Sequence, residues 1–286
     1  MKAFFFILFQ YLTPQHALSR LAGFIAENKQ AWFKNRLIQW FIKQYDVDMS
    51  IAEEPDPTQY SHFNDFFTRP LAAGQRPIDA DEDSVVSPAD GCVSQLGAIK
   101  QGRIFQAKGQ EYSLLELVGG NSEVAKPFQN GHFATIYLSP KDYHRVHSPL
   151  AGKLLSMIHV PGDLFSVNET TAENVPRLFA RNERVVCVFA TDKGKMAVVL
   201  VGAMVVASIE TPWAGLITPV KKQVRQWDYQ HSDDNNLVFA KGDEIGRFKL
   251  GSTAIVLMDE QFDEWEEELA AQTPVKMGEK IGELKD

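Results

Sequence analysis

The sequence predicts an α+β protein: amphipathic N-terminal helices followed by a mainly antiparallel β core, arranged as a barrel or sandwich. Three observations predict it. Apolar residues recur at helical spacing through the first 45 positions. β-branched and aromatic runs bounded by turn residues dominate from about residue 85 to 256. Short Ser-Pro and Gly-Asp turn pieces recur within that second region. The 286 residues are enough to bury a sizeable core.

In the N-terminal part, Ala3 to Phe9 is apolar, but no small-residue cleavage pattern follows it, and it is too short to span a bilayer. Thr13-Pro14 predicts a helix start, a capping hydroxyl followed by proline where no amide donor is needed. Leu18, Leu21, Phe24 and Ile25 then follow at helical spacing. A further helix carries Phe33, Leu37, Trp40 and Phe41 on one side, with Lys34, Asn35, Gln39 and Lys43 elsewhere. Residues 1–50 are expected to form a helical region and residues 51–286 a β-rich body.

Within the body, Phe133–Leu138, Val185–Ala190 and Met196–Val201 predict strands, and Asp192–Lys195 predicts the hairpin turn joining the last two. Ser87–Val93 is similar to Ser148–Leu154, and Val160–Asp163 to Ala240–Asp243. Such pieces resemble the duplicated half-barrels of biotinyl/lipoyl-type domains. The acidic run Glu264–Glu268 around Trp265 predicts a solvated face.

Charge is unevenly distributed. The chain carries 29 Lys and Arg against 37 Asp and Glu, a net charge of -8, which argues against general nucleic-acid binding. Residues 1–45 nevertheless hold six basic residues and one acid, Glu27. A basic, aromatic, amphipathic end on an acidic body suits an anionic membrane surface. Phe4, Phe5, Phe6, Trp32, Phe33, Trp40 and Phe41 are the expected membrane-contacting residues. Packing of the same helices on the protein's own core is the competing expectation. Cys92 and Cys187 have no paired spacing, so buried thiols are expected, with neither a disulfide nor a metal site.

The chemistry concentrates in three short motifs. In Phe248–Thr253, a glycine precedes a serine, so the Ser252 hydroxyl meets an unobstructed carbonyl at Gly251. Attack there would turn an amide into an ester; elimination and hydrolysis would then leave a pyruvoyl group at a new N-terminus. A serine needs a base, and Tyr143–Pro149 supplies His144 and His147. Ser87–Gly91 supplies a carboxylate, Asp90, the candidate to fix a histidine tautomer.

Phe63–Arg69, Arg76-Pro77-Ile78, Ser87–Gly91, Tyr143–His147 and Leu250–Thr253 occur in the order found in bacterial phosphatidylserine decarboxylases, which this chain closely resembles. The resemblance implies that Asp90, His147 and Ser252 form a self-cleavage triad in a zymogen. Cleavage would yield residues 1–251 and 252–286, which stay associated, and Ser252 would become the pyruvoyl cofactor. His144 would donate the proton in decarboxylation. The activity implied is that of a carboxy-lyase converting phosphatidylserine to phosphatidylethanolamine and carbon dioxide through a Schiff base. It would work as a peripheral protein on the cytoplasmic face of a bacterial inner membrane; assembly into a homo-oligomer is left open. Three other readings compete: a serine hydrolase using Ser252, His147 and Asp90 without self-cleavage, a lipoyl-like binding module, and pyruvoyl chemistry on a soluble amino acid.

Overall fold

The structure, a computed structural model, describes residues 2–204, 208–218, 223–249 and 252–285. Helices come first: α1 (Lys2–Leu12), α2 (Gln15–Ala26), α3 (Ala31–Tyr45) and, after a loop, the short α4 (Phe63–Phe67). Thr13 does not cap α2. Its hydroxyl donates back to the Phe9 carbonyl at 2.7 Å and so closes α1.

Polar residues tie the first two helices to the body. Gln10 is fully buried in a mostly apolar helix; its Oε1 accepts from the Ser166 N–H at 2.8 Å. The Gln15 Oε1 likewise accepts from the Leu164 N–H at 2.6 Å. A buried amide satisfied in this way fixes the docking direction that apolar contact alone would leave loose. Helix α3 buries Lys34, Ile38 and Phe41, and Phe41 meets Phe63, Phe66 and Phe67 in an aromatic cluster.

Sheets follow, all antiparallel in their named pairings. The largest runs, in order, Arg225–Asp228, Gly152–Val160, Arg184–Thr191, Gly194–Gly202, Ser252–Met258, His132–Leu138, Gly91–Ala98 and Pro274–Val275. The expected strands are therefore present, and Asp192-Lys193 is the turn between two of them. A second sheet joins Gly215–Leu216, Ile209–Thr211, Glu244–Phe248 and Arg145–His147. A third joins Ser84–Val86, Lys280–Leu284 and Phe262–Trp265. Trp265 is buried in that strand, so the acidic run is not wholly a solvated face. No sheet closes into a barrel among the described residues; the architecture is α+β with antiparallel sheets sharing a core.

Ser252–Met258 is the central strand, buried at all seven positions. Side chains alternate between faces along a strand. Ala254, Val256 and Met258 accordingly join one apolar cluster, while Ile255 and Leu257 join the other. Ser252 has the parity of Ala254, which aims it at the cluster containing Val146, Ile209, Ile245 and Phe248 of the second sheet.

The two Ser-Pro turns are related by a local pseudo-two-fold. Ser87 exchanges backbone bonds with Gly278 and Glu279, as Ser148 does with Gly242 and Asp243. The Ser87 hydroxyl donates to the Ala89 carbonyl at 2.8 Å, and that of Ser148 to the Leu150 carbonyl at 2.6 Å. The two turns also bond each other: Val86 N–H to Pro149 O, and His147 N–H to Pro88 O. The mate of Ala240–Asp243 is thus Lys276–Glu279, not Val160–Asp163 as the sequence similarity suggested; Asp163 bonds instead to the Arg181 carbonyl.

Candidate active site

Three segments converge on the end of the large sheet where Ser252 begins its strand. Cys92 and Thr253 oppose Tyr137 from its two sides, so their strands lie two spacings, about 10 Å, apart. The Ser87–Gly91 turn and Ser252 therefore enter the sheet at the same end. From that end of His132–Leu138 the chain continues through Ser139–His144 into Arg145–His147. This last strand pairs with Glu244–Phe248, whose continuation leads back to Ser252. The Phe248 N–H donates to the His144 carbonyl at 3.0 Å, which ties the histidine segment to the approach to Ser252.

Ser252 is fully buried, and its Oγ has no hydrogen-bond partner among the described residues. An unpaired buried hydroxyl costs roughly 1–3 kcal/mol; the Thr253 hydroxyl beside it is unpaired as well, so what singles out Ser252 is its place directly after Gly251 at the head of the strand. Gly251 lies outside the described residues, as does Leu250.

His147 has both ring nitrogens engaged. Nδ1 lies 2.7 Å from the Gly242 carbonyl, which can only accept, so Nδ1 carries the proton. Nε2 therefore holds the lone pair and accepts from the Tyr143 hydroxyl at 3.0 Å. Gly242 sits at a φ of +87°, and a Cβ there would come within 2.8 Å of Ile78. Glycine takes this backbone conformation without the strain a side chain would add. Burial lowers the pKa of His147, an effect partly offset by the Gly242 carbonyl and the charge of Glu244.

Asp90 is held elsewhere than expected. Its carboxylate takes a bidentate pair from Arg76, with Nε at 2.8 Å from Oδ1, and accepts the Met277 N–H at 2.9 Å. The tautomer of His147 is set by the Gly242 carbonyl, while Asp90 acts on that ring through its charge. A Cβ on Gly91 would lie 2.3 Å from the Tyr137 carbonyl oxygen, so glycine is required beside Asp90. Asp90 and Arg76 stand on the wall of a cavity of about 870 Å³, shared with Tyr137, Ser139, Asp142 and Lys276.

His144 is fully buried and lies flat on Phe67, ring centroids 3.9 Å apart. Neither nitrogen makes a well-formed hydrogen bond among the described residues. Burial, and then the nearby Arg69 guanidinium, pull its pKa down to about 3, so the ring is neutral. Arg69 is itself buried, its guanidinium over the Phe66 ring at 5.3 Å. The Phe63–Arg69 segment thus walls His144, a function its sequence did not reveal. Arg145 completes the frame, donating to the Thr68 carbonyl at 2.9 Å and to Glu244 at 2.9 Å.

Among the expected membrane residues, Phe4 (66% exposed), Phe5, Phe6, Trp32 (68%) and Trp40 stand outward, and Phe33 is half-buried. Phe41 is 7% exposed and belongs to the aromatic core, so its expected lipid contact is corrected. No helix among the described residues is long and apolar enough to cross a membrane.

A family model described as phosphatidylserine decarboxylase matches residues 63–283, and a second, described as PSD, matches residues 5–46. The chain belongs to the phosphatidylserine decarboxylase family. It is 61% identical to a phosphatidylserine decarboxylase proenzyme of Pseudomonas fluorescens, over 99% of this chain and 98% of that one. The Ectopseudomonas mendocina proenzyme is 60% identical over 99% of both chains. That of Pseudomonas aeruginosa is 60% identical over 96% and 95%. In a phosphatidylserine decarboxylase a serine with an unpaired hydroxyl is a fitting precursor of the pyruvoyl group, and Ser252 meets that requirement. Tyr143, Gly242, Phe67, Arg69 and Arg76 all lie in segments that stand out in the sequence, but their roles at the site do not follow from it. A carbonyl partner and a ring stack have no signature in a motif.

Proposed function

We propose that this protein is made as a proenzyme that cuts itself between Gly251 and Ser252 and then converts phosphatidylserine to phosphatidylethanolamine and carbon dioxide. The observation that carries the reading is the buried Ser252 hydroxyl at the head of the central strand, directly after Gly251 and on the face shared with the His147 strand, in a chain of this family. Ser252 Oγ attacks the Gly251 carbonyl as His147 takes the serine proton on Nε2; Asp90 favours the imidazolium that results, which returns the proton to the Ser252 nitrogen as the amide C–N bond breaks and leaves an ester. Loss of the Ser252 Cα proton then expels the Gly251 carboxylate, and water hydrolyses the dehydroalanine to the pyruvoyl group and ammonia. The Nδ1 bond to Gly242 supports this assignment, because it leaves Nε2 as the basic nitrogen. The lowered pKa of His147 keeps that nitrogen unprotonated, and so able to accept the serine proton, at mildly acidic pH.

The pyruvoyl group formed from Ser252 supplies a carbonyl that takes the substrate amine and an electron sink for the departing carbon dioxide. The residues around it exclude water and manage protons. His144 delivers a proton to the substrate Cα; its ring is neutral as described, and a substrate carboxylate entering the buried site would favour the charged form.

Docking follows from the N-terminal helices. Their outward Phe, Trp and Leu side chains support a peripheral protein on the cytoplasmic face of a bacterial inner membrane, with 1–50 as the docking region and 51–286 as the catalytic body. The matched hydrogen bonds of the two Ser-Pro turns support a duplication of biotinyl/lipoyl-type half-barrels. Hydroxylamine tests the reading: it should modify wild-type protein at the new N-terminus of residues 252–286. A single uncut chain that still releases carbon dioxide would end the reading.

A further inference from the structure

The base of the self-cleavage step is not free in this structure. His147 has one lone pair, on Nε2, because Nδ1 donates to the Gly242 carbonyl at 2.7 Å. That lone pair is occupied by the Tyr143 hydroxyl at 3.0 Å, and not by Ser252, whose Oγ has no partner among the described residues. Tyr143 is 5% exposed, and its ring lies 5.5 Å from the imidazole with planes 32° apart. Its burial pushes the phenol well above its ordinary range, so it stays protonated and acts as a donor.

We propose that Tyr143 is a positioning residue for self-cleavage: its hydroxyl holds the Nε2 lone pair of His147, pinning the ring at both nitrogens and keeping it neutral until Ser252 takes the tyrosine's place. The proposal rests on the reading of His147 as the base. A hydroxyl donating to an imidazole lone pair stabilises the neutral ring, because protonation removes its acceptor. The other charged groups facing the ring are Glu244 from the neighbouring strand, Arg145 from its own strand and Asp90 from the Ser87–Gly91 turn. Arg145 and Arg247 both pair with Glu244, and Arg76 pairs with Asp90, so these groups are held by partners other than Tyr143. Tyr143 is the neighbour whose removal changes the lone pair itself.

The test uses the full chain in two arms. In the Ser252→Ala background, nitrogen-15 histidine spectra read the tautomer and titration midpoint of His147, assigned by its loss in His147→Gln. The expected result is the Nδ1–H tautomer, with a midpoint that Tyr143→Phe raises by about one pH unit, a tenfold change in the protonation equilibrium. In the second arm, precursor with Ser252 intact is synthesised in a cell-free reaction and its cleavage followed on gels across pH. The midpoint of the cleavage profile should rise by the same amount in Tyr143→Phe. Incorporating 3-fluorotyrosine at position 143, a stronger donor of nearly unchanged shape, should lower both midpoints, and it carries the test if the phenylalanine variant does not fold. Unmoved histidine midpoints would overturn the proposal and leave His147 as base untouched. A moved histidine midpoint with an unmoved cleavage profile would overturn it as well. Cleavage of His147→Gln at the wild-type rate would instead sink the underlying reading.

Discussion

The ring of Phe67 lies on the imidazole of His144, centroids 3.9 Å apart and planes 18° from parallel. This stack removes one face of His144 from water, and Phe67 in turn is packed by Phe41 and Phe63. Phe67→Ala should therefore cost about 3–5 kcal/mol of stability, read by chemical denaturation. It should also raise the His144 pKa towards its ordinary value, read by histidine NMR, because water then reaches the ring. Stability unchanged within 1 kcal/mol would contradict the packing role.

His144 also shapes the acid limit of the fold. Its folded pKa of about 3 lies below the unfolded value near 6.5. Between those values the unfolded chain binds more protons, so stability rises with pH there and is lost as pH falls below about 6.5. By pH 5 the loss from this one ring is about 2 kcal/mol. Denaturation midpoints of wild type and His144→Gln, compared at pH 7 and 5, should show a shallower acid loss in the variant. Parallel losses would show that His144 is not the cause.

Arg76 and Asp90 form a buried bidentate pair, their side chains only 10% and 9% exposed. Arg76→Gln leaves the carboxylate without its counter-charge, which should destabilise the protein by about 3 kcal/mol and slow self-cleavage. Arg76→Lys keeps the charge but loses the fork, so it should fall between the two. Gel analysis of the cleaved fraction after a fixed time checks the ordering. Equal cleavage in all three would remove Asp90's pairing from the account.

Much of this site was readable in the sequence, and the part that was not has physical causes. Ser252, His147 and Asp90 carry chemistry in their side chains, and the structure brings their segments to one end of a sheet. The partners they use are a carbonyl at Gly242 and a guanidinium 14 residues from Asp90, and neither follows from spacing. The strands Arg184–Thr191 and Gly194–Gly202 were legible because β-branched residues fill both faces. Helix α3 was harder because it is apolar on two sides. Phe41 and Ile38 face the core while Trp40 and Trp32 face outward, and Lys34 is buried, its Nζ donating to the Thr58 carbonyl at 2.9 Å. Periodicity locates a helix but not which of two apolar stripes meets protein.

That division makes a membrane prediction. Replacing Phe4, Phe5 and Trp32 together with serine should weaken binding to phosphatidylserine-containing vesicles at least about tenfold in a sedimentation assay, with the melting temperature kept. Phe41→Ala should do the reverse, lowering stability while sparing vesicle binding in the protein that stays folded. Full binding by the triple variant would move the docking surface elsewhere.

The central claim concerns one peptide bond. Intact mass spectrometry of purified wild type beside Ser252→Ala tests it directly. The account predicts two wild-type species, residues 1–251 and a pyruvoyl-blocked 252–286, and a single full-length, inactive chain for the variant. A wild-type protein of one full-length mass that decarboxylates phosphatidylserine would contradict it.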